Sequence, residues 1–288
     1  MKKFTIVVFI LLQYLDLRSQ EILVLNVMYD FSYVRDLADT VNRYKAEMIL
    51  SVGKQTSRYT TRDLFNRNSP AVIKLNKQRQ EKANTAAIPG PAVVAVGGPL
   101  LNVTNAGALI NEEIFIDRNK STIQTAGRVG FKNFHFTVSL PVINWKLSSD
   151  KKEICGYTCQ KAVGDYGGRT FEAWFTTDLP DAFGPWKLHG LPGLILSARD
   201  TKNEISFECK EITKNEDPEE LLKPFMNADR SIQVKPKEYS KVAGMFAKDP
   251  AAVAEGQLPG TVVNVRNLDS PEDNSIRKVV KYNPMELK

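Results

Sequence analysis

Along most of this chain apolar and polar residues alternate with a period of two, the spacing of a half-buried strand rather than of a helix. Ile22–Phe31 and Ala46–Tyr59 are apolar or alternating runs rich in β-branched and aromatic residues, and each predicts a strand. Between them Arg35–Lys45 sets Leu37, Ala38 and Val41 among charges, which fits a short helix or a long hairpin tip. Asn76–Thr85 is polar and predicts a short exposed helix or a loop. Residues 86–99 hold three prolines and three glycines, the best linker candidate, but both flanks are β-like, so they predict a loop within one domain.

Strands then follow quickly: Ile114–Asp117, Ser121–Arg128, Phe134–Leu140 and Trp145–Lys151. Ile154–Tyr166 and Arg169–Thr177 flank Gly167-Gly168, a two-residue turn that matches strand twist and sets a register. Ala162 should face Ala173, and Lys161 should face Trp174. Ala162, Phe171, Ala173 and Phe175 then form a core face, with Cys159, Lys161, Val163, Glu172 and Trp174 on the other. A second hairpin joins Leu194–Arg199 to Glu204–Glu211, with Ile205, Phe207 and Cys209 inward. Helical signals come last. Asp217-Pro218 followed by Glu219 and Glu220 is a helix start; Pro236–Lys248 places Tyr239, Val242 and Phe246 at helical spacing; Asp249-Pro250 opens a short helix to about Glu255. The final thirty residues are polar and predict a loosely ordered tail. The fold class is therefore mainly β: one large curved antiparallel sheet with a few C-terminal helices, by analogy a half-barrel like those of periplasmic lipoprotein carriers.

The first residues carry a different pattern. Lys2 and Lys3 precede the apolar run Phe4–Leu12, and Leu17-Arg18-Ser19 ends in a small residue before Gln20. That is a signal peptide over 1–19, too short for a spanning helix, leaving 20–288 as a single mainly-β domain. Its removal lowers the formal charge from +6 to +4, too small and scattered an excess for nucleic acid. No cysteine lies near the cut, so this is not a lipoprotein signal, and no later segment reaches membrane-spanning length. The expected location is the periplasm or the extracellular space.

Three cysteines in an exported chain raise the question of a disulfide. Cys155 and Cys159 are four residues apart, about 13 Å in an extended strand, so a bridge between them requires a bend. A Cys159–Cys209 bridge between strands is one expectation. The alternative is three small buried hydrophobes, the odd count leaving at least one free thiol. With only His135 and His189, neither at ligand spacing from a cysteine, no metal site and no cofactor are expected.

The run Gly190-Leu191-Pro192-Gly193-Leu194-Ile195 is too apolar and too kinked for an ordinary loop, and predicts a rigid corner feeding a buried strand. Gly156–Ala162, Gly168-Arg169, Ala173–Thr176, Leu179-Pro180 and Gly184–Ile195, with the ending Tyr282–Leu287, resemble the GLPGLI family of exported Bacteroidota proteins. The likeness is specific over residues 154–200. It implies export, often beside outer-membrane transport genes, without an established activity or catalytic residues to carry over.

Around the corner Trp174, Phe183, Trp186, Leu191 and Leu194 form an aromatic and aliphatic cluster suited to walling an apolar cavity. His189 is the general-base candidate, and Asp165, Glu172, Asp178, Asp181 and Asp200 are the nearby carboxylates. Arg169 suits an anionic group or a salt link to Asp165 or Glu172. The leading expectation is non-catalytic periplasmic binding of an apolar small molecule, a peptide or an envelope partner in the hollow of the sheet. One alternative is a hydrolase using His189 with those carboxylates. Another is a structural component of an outer-membrane transport assembly, whose edge strands pair with a partner protein.

Overall fold

The computed structural model describes residues 21–85, 101–104, 112–215, 221–226, 228–257, 263–266 and 282–287. The expected signal peptide, the Pro/Gly-rich loop and the helix start at Asp217 lie outside these residues.

The first half of the chain supplies β1 (Glu21–Ile22), β2 (Leu25–Tyr33), β3 (Tyr44–Val52), β4 (Thr56–Thr61), α1 (Arg62–Arg67), α2 (Pro70–Thr85), β5 (Leu101–Thr104), β6 (Glu112–Asp117), β7 (Thr122–Val129) and β8 (Lys132–Ser139). The second half supplies β9 (Lys146–Ile154), β10 (Tyr157–Tyr166), β11 (Arg169–Thr176), β12 (Leu194–Asp200), β13 (Ile205–Lys214), β14 (Leu221–Leu222), β15 (Ile232–Gln233), α3 (Pro236–Lys248), α4 (Pro250–Gln257) and β16 (Val263–Arg266). Twelve strands form one sheet that does not close into a barrel, in the order β15, β8, β7, β6, β4, β3, β2, β13, β12, β11, β10, β9. Every pairing in it is antiparallel except β15 with β8.

Two meanders thus meet at β2 and β13, and that seam runs from Ile205 opposite Tyr33 to Lys214 opposite Leu25. The alternation of β2 explains its central place. Leu25, Val27, Tyr29, Phe31 and Tyr33 are all buried on one face, and the Tyr29 hydroxyl donates to the Ile195 carbonyl at 2.6 Å. The hairpin β10–β11 takes the predicted register, with Ala162 opposite Ala173 and Lys161 opposite Trp174. Gly167 and Gly168 adopt φ of 59° and 80°, as a tight turn of this hand requires.

Three local expectations are corrected. Ala46–Tyr59 is not one strand but two, because the chain reverses at Gly53, whose N–H bonds the Thr56 carbonyl at 2.9 Å. Helix α1 sits where no helix was expected; the Thr61 hydroxyl caps it by accepting from Leu64 N at 3.2 Å. Helix α2 begins six residues before Asn76. The two C-terminal helices form as expected, α3 burying Tyr239, Ala243 and Phe246 in one cluster with Phe134 and Phe136 of β8.

The sheet curls strongly. Cys155, in the turn between β9 and β10, lies 2.8 Å Sγ to Sγ from Cys209 of β13. Across a flat sheet, three strand spacings would separate them by about 14 Å. One hydrophobic core runs from β2 through β13 and into the segment between β11 and β12.

Candidate functional site

Residues 177–193, between β11 and β12, fill the inside of that curl. Leu194 N bonds the Leu179 carbonyl, Ile195 N the Phe183 carbonyl and Leu188 N the Pro185 carbonyl, at 2.9, 2.9 and 3.1 Å. The segment is therefore a folded plug with its own backbone pairing, not a loose loop. Phe183, Trp186, Leu188, Leu191 and Leu194 are buried, and Trp186 packs edge-on to Tyr166 with ring centres 5.3 Å apart. The corner enters tightly. A Cβ on Gly193 would stand 1.9 Å from the Thr176 carbonyl oxygen, so only glycine lets the two backbones meet there.

The predicted aromatic cluster is brought together except at one position. Phe183, Trp186, Leu191 and Leu194 lie within the core, whereas Trp174, on the alternate face of β11 opposite Lys161 and Ser197, only packs against it from its partly exposed position. It is half-buried there, with the Lys152 ammonium 4.6 Å from its ring centre. His189 is buried, and its two ring nitrogens face the carbonyls of Lys187 at 2.9 Å and Pro141 at 2.8 Å. Its own carbonyl accepts from the Trp145 indole at 2.8 Å. This ring pins the plug to the segment before β9, and none of the five candidate carboxylates is among its hydrogen-bond partners. Glu172 instead pairs with Lys161 and Arg199, which hold its carboxyl below the usual range; Asp165 accepts from the Thr170 hydroxyl. Burial pushes the Asp181 carboxyl up, against the pull of Arg118.

Arg169 makes neither predicted salt link. Its side chain is 2% exposed and spends all five N–H donors inside the protein. One terminal nitrogen bonds Asp200 and Glu204, both at 2.7 Å. The other bonds Asn283 Oδ1 at 2.7 Å and the Pro284 carbonyl at 2.8 Å, while Nε reaches the Met285 carbonyl at 2.9 Å. The guanidinium is a buried clasp holding residues 283–285 to the sheet.

That C-terminal strap completes a second polar cluster, which the sequence reading missed. Glu112 keeps part of its surface exposed, but its carboxyl end sits deep enough that burial raises its pKa; Lys187 and the hydrogen bond from Tyr239 pull the other way. The Tyr239 hydroxyl donates to Glu112 at 2.8 Å, and Lys187 pairs with Glu286 of the strap. Beside them lies a cavity of about 10 Å³, lined by Phe31, Met48, Tyr59, Glu112, Ile114, Trp186 and Met285. That is barely room for a single water. The signal was present in Asn-Glu-Glu-Ile-Phe-Ile-Asp: with two adjacent acids heading an apolar strand, one of them must face inward. The other, Glu113, is also buried, and accepts from the backbone N–H groups of Phe225 at 2.6 Å and Met226 at 2.8 Å.

The cysteines pair differently from the expected Cys159–Cys209 bridge. Cys209 meets Cys155, whereas Cys159 is fully buried, its thiol donating to the Tyr157 carbonyl at 3.6 Å and pushed up to about 11 by burial. No group of three His, Cys, Asp or Glu among the described residues is arranged to hold a metal ion. Among the same residues no helix is long and apolar enough to cross a membrane.

A family model described as the N-terminal domain of the N-glycanase peptide matches residues 102–233. The likeness to the GLPGLI family is thereby overturned, since its most specific stretch lies inside that match. The Gly-Leu-Pro-Gly-Leu-Ile corner packs a plug into a curled sheet, and that packing need does not by itself name a family. The leading expectation, a GLPGLI-like protein that holds an apolar ligand in its hollow, falls with it: the chain's own residues occupy the hollow. No curated protein matches the chain. Solved structures of PNGF-II in a P21 and a C2 crystal form align with TM-scores of 0.47, at 14% and 15% identity over 78% and 80% of this chain. In each case 34% of the PNGF-II chain is covered, so this chain spans about a third of the length of the structures it matches.

Proposed function

We infer that this chain takes part in the release of N-linked glycans, as a domain of the type that stands at the N-terminus of the N-glycanase peptide. The match over residues 102–233 carries this reading. The matched stretch includes the plug, Arg169, and Glu112 and Glu113. There the charged groups serve the fold: Arg169 has every donor engaged, Glu113 caps two backbone N–H groups, and both His189 ring nitrogens face carbonyls. We assign the domain the role of a rigid scaffold that presents glycoprotein to reacting groups supplied elsewhere. Export, expected from residues 1–19, is consistent with a glycoprotein substrate.

One observation favours a second reading, a hydrolase in its own right. Glu112, whose pKa burial raises, sits with Tyr239 and the Lys187–Glu286 pair at one place, a carboxyl with charged and hydroxyl neighbours of the kind that glycosyl chemistry uses. One experiment separates the two. The full chain is incubated with an N-glycosylated protein and with its deglycosylated form, and both binding and glycan release are followed by mass spectrometry and biolayer interferometry. The scaffold reading expects preferential retention of the glycosylated form without release. Release that disappears in Glu112→Gln would establish the second reading, and absence of both binding and release would end both.

A further inference from the structure

We propose that Cys155 and Cys209 are an intramolecular dithiol that oxidises to a disulfide, stapling the tip of the β9–β10 hairpin to β13 across the curl of the sheet. The two sulfurs are already 2.8 Å apart, although the residues are 54 positions apart in sequence. Both backbones are bent in ways that bring them there. Cys155 takes φ 50° in the hairpin turn, a conformation a residue with a side chain adopts only where its surroundings hold it. Cys209 sits at a break in the register between β13 and β2, and such breaks re-aim side chains. The third cysteine is excluded, since the Cys159 thiol is fully buried and bonded to the Tyr157 carbonyl.

The chemistry assigns distinct roles. Cys155 is exposed, whereas Cys209 is half-buried and its thiol is pushed up by burial, so the first attack falls to Cys155. The Cys155 thiolate attacks one sulfur of a small-molecule disulfide oxidant, forming a mixed disulfide and releasing one thiol. The Cys209 thiolate then attacks the Cys155 sulfur and expels the second. The protein's two sulfurs are each oxidised by one electron, the oxidant's two sulfurs are reduced, and the two protons leave on the released thiols. Because β11 and β12 lie between the joined elements, the bond fixes the curl that encloses the 177–193 plug.

The test uses the full chain, reduced and then treated with oxidised glutathione. Alkylation in denaturant should find one remaining thiol instead of three, and a non-reducing digest should join the peptides carrying Cys155 and Cys209. The thermal midpoint should rise by roughly 5–10 °C on oxidation. That rise should persist in Cys159→Ser and vanish in Cys155→Ser, an exposed position whose substitution leaves the packing intact. Three surviving thiols, a stable glutathione adduct, a link through Cys159 or a covalent dimer would each overturn the proposal.

Discussion

At the scale of single residues this protein places ionisable groups where a folded interior must account for them. Glu112 shows the consequence most directly. Burial raises its pKa, with Lys187 and Tyr239 opposing and Glu286 reinforcing the shift. A carboxyl whose folded pKa exceeds its unfolded value binds more protons in the folded state, so its contribution to stability declines as pH rises above the ordinary value of 4.5. Glu112→Gln can still accept from Tyr239 and removes that decline. Urea unfolding should therefore show the variant gaining on the parent protein as pH rises through that window, with the difference absent at pH 4. Glu204 has the opposite sign: its hydrogen bonds from Arg169 and Asn283 outweigh its burial and lower its pKa, so its contribution is present above the ordinary value and lost as pH falls. Neither role was legible from sequence. A glutamate next to an apolar run looks the same whether its partner is a tyrosine 127 positions away or water.

Elements were more legible, because what makes a strand is local. The β10–β11 register follows from period-two alternation and a Gly-Gly turn, both contained within about twenty residues. Expectations failed where a short polar turn interrupts an otherwise continuous β pattern, as at Gly53, or where a helix is begun by one capping hydroxyl, as at Thr61. The plug is intermediate. Its glycines and proline announce a corner, but not which glycine is irreplaceable. The structure separates them: Gly190 has φ +89° with open space around its Cα, whereas a Cβ on Gly193 collides with the Thr176 backbone. Gly190→Ala should cost about 1 kcal/mol, the strain of a left-handed residue. Gly193→Ala should cost about 3 kcal/mol or more, since β11 and the corner must part. Chemical denaturation of the two variants tests the order, and equal losses would show that the close approach is not what the corner needs.

For the whole molecule the decisive feature is that the curled sheet is filled and fastened by distant parts of the same chain. The strap at 282–287 supplies Arg169 with three of its five acceptors, Lys187 with its ion-pair partner, and the cavity with Met285. Ending the chain at residue 281 would leave a buried guanidinium short of partners. The expected loss is roughly 3–5 kcal/mol, a fall in thermal midpoint on the order of 10 °C, with Trp186 emission shifting to the red as its cover is lost. A truncated protein that melts with the full chain would show the strap to be incidental. By itself the sequence determined most of the long strands, the inward residues of the β10–β11 hairpin other than Cys159, which was expected on the opposite face and is buried, the tight turn and the helices at Pro236 and Pro250, because propensity, turn chemistry and alternation act between residues a few positions apart. Only the tertiary structure decided that Cys155 rather than Cys159 meets Cys209, that the hollow is occupied by residues 177–193, and that Arg169 clasps Asn283 across 114 positions. Those outcomes depend on how far a twelve-strand sheet coils, and coil accumulates from small twists over every strand pair, a sum that no local pattern of residues encodes.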